Sequence, residues 1–134
     1  MDVAVIGFTG GPWTLMTYML GEMGGGGGGA FAKAKKWLYC YPEAAKKLLD
    51  GISNAVADFL IAQAQAGAHI VQVFDSWAGS LSPDDFDKWE APALRQVGLE
   101  FFCLALRSFG TTLSAAPRHS RWRSDSNKRA QTSP

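Results

Sequence analysis

The stretch His69–Asp85, HIVQVFDSWAGSLSPDD, decides how this chain is read. It opens with HIVQVFD, an apolar run of strand length. The run breaks off into a carboxylate, a hydroxyl and an indole, Asp75-Ser76-Trp77, followed by Gly79. It closes on Ser82-Pro83-Asp84-Asp85, a helix start. Ser82 caps, Pro83 takes the first turn, and Asp85 stands where a capping-box acid reaches back. Strand, polar loop and helix in succession are the unit of a parallel α/β fold.

The same pattern occurs near the amino terminus. Val3–Phe8 is a short, continuous apolar run closed by Thr9-Gly10-Gly11-Pro12-Trp13. Such a run predicts a strand buried on both faces. Six consecutive glycines at 24–29 predict a flexible loop. They lack the fixed pattern and the following Lys-Ser/Thr of a phosphate-binding loop.

Two helices fill the interval before the second strand. In Ala30–Cys40, Phe31, Ala34, Leu38 and then Tyr41 recur at spacings of three and four, with Lys33 and Lys36 opposite. Pro42 stops that helix and opens the next. From Glu43 to Ala66 a stripe of Leu48, Leu49, Ile52, Val56, Phe59 and Gln63/Ala66 predicts a second helix, ended by Gly67 in a left-handed conformation. Beyond Asp85 a helix carries Phe86, Trp89, Leu94 and Val97, and Pro92 is expected to bend it. Gly98–Phe109 is almost uniformly apolar and is expected to expose apolar surface.

Two parallel strands cannot make such a sheet by themselves, because each leaves an unpaired edge. Either copies of the chain complete the sheet, or the chain is a piece of a larger barrel. In parallel α/β folds ligands bind at the carboxyl ends of strands. Thr9–Trp13 and Asp75–Trp77 occupy those ends, so their side chains are expected to share one cleft.

Composition sets outer limits. The 134 residues are 47% apolar, enough for one globular domain. A net charge of +1 conceals an asymmetry: residues 111–134 hold five Lys/Arg against one Asp, and residues 1–110 hold eight against eleven. The basic part is a tail, read as disordered. Its sequence RHSRWRSDSNKR places a Trp among arginines, but the reading is an unstructured end without nucleic-acid binding, and His119 within it has no partner. Cys40 and Cys103 lie far apart with no metal-binding spacing, which predicts two reduced thiols and no metal site. No apolar run is long enough to span a membrane. The first residues read as a strand rather than a signal or transit peptide, so the chain is expected to lack the beginning of its fold.

Three motifs in this order, GFTGGPWTLMTYM at 7–19, KAKKWLY at 33–39 and QVFDSWAGSLSP at 72–83, resemble uroporphyrinogen decarboxylase. The resemblance covers about residues 3–95 and ends near Gln96; residues 111–134 match none of it. It implies a partial (β/α)8 TIM barrel, residues 1–110 forming the barrel fragment, usually homodimeric and cytoplasmic or in the plastid stroma. The implied activity removes carbon dioxide from four acetate side chains of uroporphyrinogen to give coproporphyrinogen, in haem and chlorophyll synthesis, with no metal and no organic cofactor. The resemblance makes Tyr18 and Ser76 substrate-binding residues. The family's catalytic arginines, aspartate and histidine have no counterparts here, so the chain is expected to be an incomplete, inactive piece. The short E-G-G-G loop of the family appears as Gly21-Glu22-Met23 and six glycines, a longer loop.

The chemistry suits those roles. A ring bearing eight carboxylates needs hydroxyl donors at defined points, and tyrosine adds an apolar body against the pyrrole face. Trp13, Asp75 and Trp77 are candidates to line the pocket. Their plainer reading is packing for the two indoles and, for Asp75, bonds to the backbone N–H groups of its own turn. The glycines at 10, 11 and 79 allow tight turns or close backbone approach. His69, opening a strand, reads as structural. Two alternatives stand beside the decarboxylase: a corrinoid-dependent methyltransferase barrel, which needs a His/Cys zinc site, and a non-catalytic binding module.

Overall fold

The computed structural model describes residues 3–22 and 31–108. The six-glycine run and the basic tail therefore lie outside the described residues. Strand β1 (Ile6–Gly10) pairs in parallel with β2 (Ile70–Phe74), in register from Ile6 opposite Ile70 to Gly10 opposite Phe74. Helices α1 (Pro12–Met19), α2 (Ala32–Cys40) and α3 (Pro42–Gln65) lie between the strands in sequence. After β2 come a tight turn at Ala78–Ser80, the short α4 (Pro83–Asp85), a wide π-helical turn at Phe86–Glu90 and α5 (Ala91–Ser108).

The sheet is not buried on both faces. Gly7 and Thr9 of β1 are buried and Val71 and Val73 of β2 are half-buried on the face that packs towards α3. Ile6, Phe8, Ile70 and Phe74 all point to the other face and are exposed, with the Phe8 and Phe74 rings edge-to-face at 6.0 Å. The apolar run of β1 overstated its burial because nothing among the described residues covers that second face. Apolar composition shows what a strand can bury, not what is there to bury it.

Two side chains from outside the ladder complete the hydrogen bonding of β1. The Gln63 amide of α3 bonds both backbone groups of Phe8, accepting from its N–H at 2.7 Å and donating to its carbonyl at 3.1 Å. Gly7 leaves the room, since a Cβ there would stand 2.6 Å from Gln63 Oε1. His69 Nδ1 accepts from Val5 N–H while His69 N–H donates to the Val5 carbonyl, so this histidine is a structural residue at the strand start.

The core lies between α3 and α5 with α1 and α2 closing it. Trp13 and Met16 from α1 meet Phe31, Ala34 and Leu38 around α2, Leu49, Ile52, Val56 and Leu60 from α3, and Trp89, Ala93 and Val97. Phe59, Tyr41 and Ala66 depart from the expected stripes, all three being exposed. Phe59 is 55% exposed, because the buried face of α3 is rotated onto Ser53, Val56, Ala57, Leu60 and Ile61. Tyr41 is exposed and packs edge-on against Trp37. Gly67 has the expected left-handed conformation, with φ +103°.

The cap at Ser82 forms, with the Asp85 carboxylate reaching back to the Ser82 hydroxyl rather than to its backbone N–H. Ser82 Oγ accepts from the Asp85 N–H at 3.2 Å and donates to Asp85 Oδ2 at 2.8 Å, and Tyr39 donates to the same carboxylate at 2.6 Å. The Tyr39 hydrogen bond pulls the Asp85 pKa down, against the opposing effect of burial. Ser82→Ala should destabilise the chain by about 1 kcal/mol, measured by urea unfolding. Ahead of Pro92 the helix departs from regular geometry. The chain widens one turn ahead of it, with Ala91 N–H donating to the Phe86 carbonyl five residues back. Proline has no N–H to give and its ring crowds the carbonyl four residues earlier, and a wide turn relieves both. In α5, Leu99 and Phe102 are exposed, as the apolar run from Gly98 predicts.

Candidate functional site

Because β1 and β2 run parallel, their carboxyl ends lie at one edge of the sheet, and the two loops that leave them are neighbours. Gly11 N–H donates to the Phe74 carbonyl at 2.9 Å, joining the loops directly. Gly11 is where the backbone comes closest: a Cβ there would stand 2.7 to 2.8 Å from the Asp75 side chain. The Gly11 side of this contact needs glycine for space, its φ of −68° being open to any residue. Gly79 meets nothing within 4 Å, so close approach does not explain that glycine.

A polar network holds the loops together. Thr14 Oγ1 donates to Asp75 Oδ1 at 2.8 Å and accepts from Trp77 N–H at 3.1 Å. The Trp13 indole N–H reaches the Trp77 carbonyl at 3.1 Å and Ser80 Oγ at 3.2 Å. The Asp75 side chain thus bonds across to α1 rather than to the N–H groups of its own turn. Its backbone carbonyl takes that local role, accepting from Ala78 N–H. Trp13 is fully buried and serves as packing, while Trp77 is half-buried against Phe31 at 5.2 Å.

Beneath the network lies a residue that the sequence reading passed over. Glu90 is fully buried, and its Oε2 accepts the Trp13 backbone N–H at 2.9 Å. Its other oxygen, Oε1, is buried without a hydrogen-bond partner, as is Asp75 Oδ2. Burial, and after it the negative charge of Asp75, push the Glu90 pKa up to about 9, against the Trp13 amide, which lowers it. A signal was present: Phe86, Glu90, Ala93 and Val97 recur at helical spacing, so Glu90 falls in phase with residues that face inward.

Of the two hydroxyls expected to converge, one stands on α1 and the other on the loop after β2. Tyr18, 39% exposed, lines an apolar groove of about 680 Å³ between α1 and α3, with Leu15, Met19, Leu48, Ile52 and Phe59. Ser76 is exposed on the loop after β2 and does not line that groove. Trp13, Met16 and Thr17 take the buried face of α1, which turns Tyr18 outward beside α3.

Comparison with known proteins settles the lineage. The family model for uroporphyrinogen decarboxylase (URO-D) matches residues 1–102. The chain belongs to the uroporphyrinogen decarboxylase family. It is 52% identical over 96 residues to uroporphyrinogen decarboxylase of Schizosaccharomyces pombe, 47% over 95 residues to that of Danio rerio and 46% over 95 to that of Homo sapiens. These alignments take in 71 to 72% of this chain and 25 to 26% of each relative, so the chain spans about a quarter of their length. The match extends a few residues past Arg95 into α5. Among the described residues there is no cluster of three or more potential metal ligands, no helix long and apolar enough to cross a membrane, and both cysteines are free and exposed.

Proposed function

We propose that this chain supplies one β-α-β-α portion of a (β/α)8 barrel that converts uroporphyrinogen to coproporphyrinogen by removing carbon dioxide from its four acetate side chains. The observation that carries the reading is the family match over residues 1–102, laid on two parallel strands whose carboxyl ends are bound together. In this reading Ser76 and Tyr18 donate hydroxyl hydrogen bonds to substrate carboxylates, and Trp13, Asp75 and Trp77 build the wall behind them. The groove beside Tyr18 and the open sheet face of Ile6, Phe8, Ile70 and Phe74 are the surfaces that the rest of a barrel would cover. A homodimer, a cytoplasmic or plastid-stromal setting and chemistry without metal or organic cofactor belong to the same proposal.

The chemistry divides accordingly. Decarboxylation of a pyrrole acetate needs a proton delivered to the ring to receive the departing carboxylate's electrons, and a second proton on the side-chain carbon in place of carbon dioxide. The ring then gives its added proton back to restore the pyrrole. No residue described here is assigned any of these transfers; the two hydroxyls bind and orient. The 134-residue chain by itself should therefore give no coproporphyrinogen.

The test is a transplant. Residues 3–95 replace the matching stretch of the Schizosaccharomyces pombe relative, and coproporphyrinogen formation is measured. The chimera should be active, and Tyr18→Phe and Ser76→Ala within it should each lower kcat/KM roughly tenfold or more, the loss of one hydrogen bond to a charged group. A folded chimera without product, or full activity in both variants, would sink the proposal.

A further inference from the structure

Asp75 stands close enough to the buried Glu90 for its charge to act there, and a hydrogen bond between the two carboxyls needs a proton from one of them. Asp75 Oδ2 and Glu90 Oε1 are both buried and neither has a hydrogen-bond partner, while the remaining oxygens are committed, Asp75 Oδ1 to the Thr14 hydroxyl and Glu90 Oε2 to the Trp13 amide. Two ionised carboxylates have only acceptors to offer each other. A carboxylic acid facing a carboxylate satisfies both oxygens, and burying one charge costs far less than burying two.

We infer that Glu90 is a positioning residue, which carries a proton on Oε1, donates it to Asp75 Oδ2, and so fixes the Asp75–Gly79 loop on which Ser76 stands. The functional meaning of that loop rests on the role of Ser76 proposed above; the shared proton does not. Asp75 is then gripped from three sides: by Thr14 of α1, by the bare backbone of Gly11, and by Glu90 from the wide turn ahead of Pro92. Thr14 relays the grip to the loop by accepting the Trp77 N–H. Glu90 Oε2 holds the first turn of α1 through Trp13, so one side chain ties together the loops leaving both strands.

The arrangement has a pH signature. Asp75 is the charge that acts on Glu90; α1 contributes Trp13 and Thr14, and the Ala78–Ser80 turn contributes Ser80, none of them charged. Glu43, Lys46, Asp50 and Lys88 line a separate cavity beside Trp89. The Glu90 pKa stands at about 9 in the folded chain, against 4.5 ordinarily. The folded state therefore keeps a proton that the unfolded state has released. The stabilisation is complete below pH 4.5 and is lost as the pH rises through the folded value near 9.

The experiment compares the intact chain with Glu90→Gln and Glu90→Ala. Glutamine reproduces both contacts, its carbonyl accepting from Trp13 and its amide donating to Asp75, but it cannot titrate. Infrared spectra of the parent chain at neutral pH should contain the carbonyl stretch of a protonated carboxylic acid, and Glu90→Gln should lack it. The alkaline loss of stability should be smaller in Glu90→Gln. Amide exchange at Trp77 and Ala78 should be unchanged by glutamine and at least about tenfold faster with alanine, the effect of losing roughly one buried hydrogen bond. The absence of a protonated carboxyl in the parent chain, or its persistence in Glu90→Gln, overturns the inference. So does slow exchange at Trp77 in Glu90→Ala. If the alanine variant does not fold, the parent and glutamine spectra decide. No substrate is used, so failure here is distinct from failure of the porphyrinogen reading.

Discussion

Trp13→Ala is expected to destabilise the chain by about 3–5 kcal/mol, the range for removing a large aromatic from a packed core. Trp13 is fully buried and occupies the centre of the cluster where α1 meets α3 and the loop after β2. Removing the indole opens a hole and also leaves Ser80 Oγ without its donor, while the Trp77 carbonyl keeps only the Ser80 N–H. A domain of this size has only about 5–15 kcal/mol of stability in total. The unfolding midpoint should fall by roughly 10–25 °C. Trp13→Phe keeps most of the volume and loses only the donor, so it should cost about 1–3 kcal/mol. Urea titration followed by far-ultraviolet circular dichroism measures both. A loss below 1 kcal/mol for the alanine variant would show that the ring is not packed as described.

Gly11→Ala should cost about 1–3 kcal/mol, an overpacking penalty out of proportion to one methyl group. The new Cβ would stand 2.7 Å from Asp75 Cγ and 2.8 Å from Asp75 Cβ. The second contact matters more, because a Cβ moves only if the backbone moves. Displacing Asp75 breaks its bond from Thr14 and its pairing with Glu90 together. The control is Gly79→Ala, three residues past Ser76. Its Cβ meets nothing within 4 Å, and its φ is not positive. That variant should lie within about 0.5 kcal/mol of the parent. Equal losses at the two positions would show that the Gly11–Asp75 contact is not tight.

These predictions draw on features of different legibility. The helix start at Ser82 and the left-handed Gly67 were legible, because capping and positive φ depend on a few adjacent residues. The strand character of residues 70–74 was legible for the same local reason. The first strand, read at residues 3–8, lies at Ile6–Gly10 and takes in Thr9 and Gly10 from the expected loop. Phe59 and the exposed face of β1 were not legible, because burial depends on what lies opposite. The role of Asp75 was misread for a related reason. Its carboxylate had local N–H groups within reach along the chain, yet it bonds Thr14, 61 residues away in sequence. Glu90 shows the intermediate case: its helical phase marked it as inward-facing, but nothing along the chain named Asp75 as its partner.

The amino-acid sequence by itself determined the strand–loop–helix order, the helix start at Ser82 and the family to which residues 1–102 belong, since periodicity, capping and motif spacing are carried by neighbouring residues. Tertiary structure alone decided that Tyr18 lines a groove between α1 and α3, that Gly11 lies against Asp75, and that a buried acid underlies the loop. Those facts depend on which helix face meets which strand end, and that is set by packing between residues 60 to 80 positions apart, such as Trp13 and Glu90 at a separation of 77.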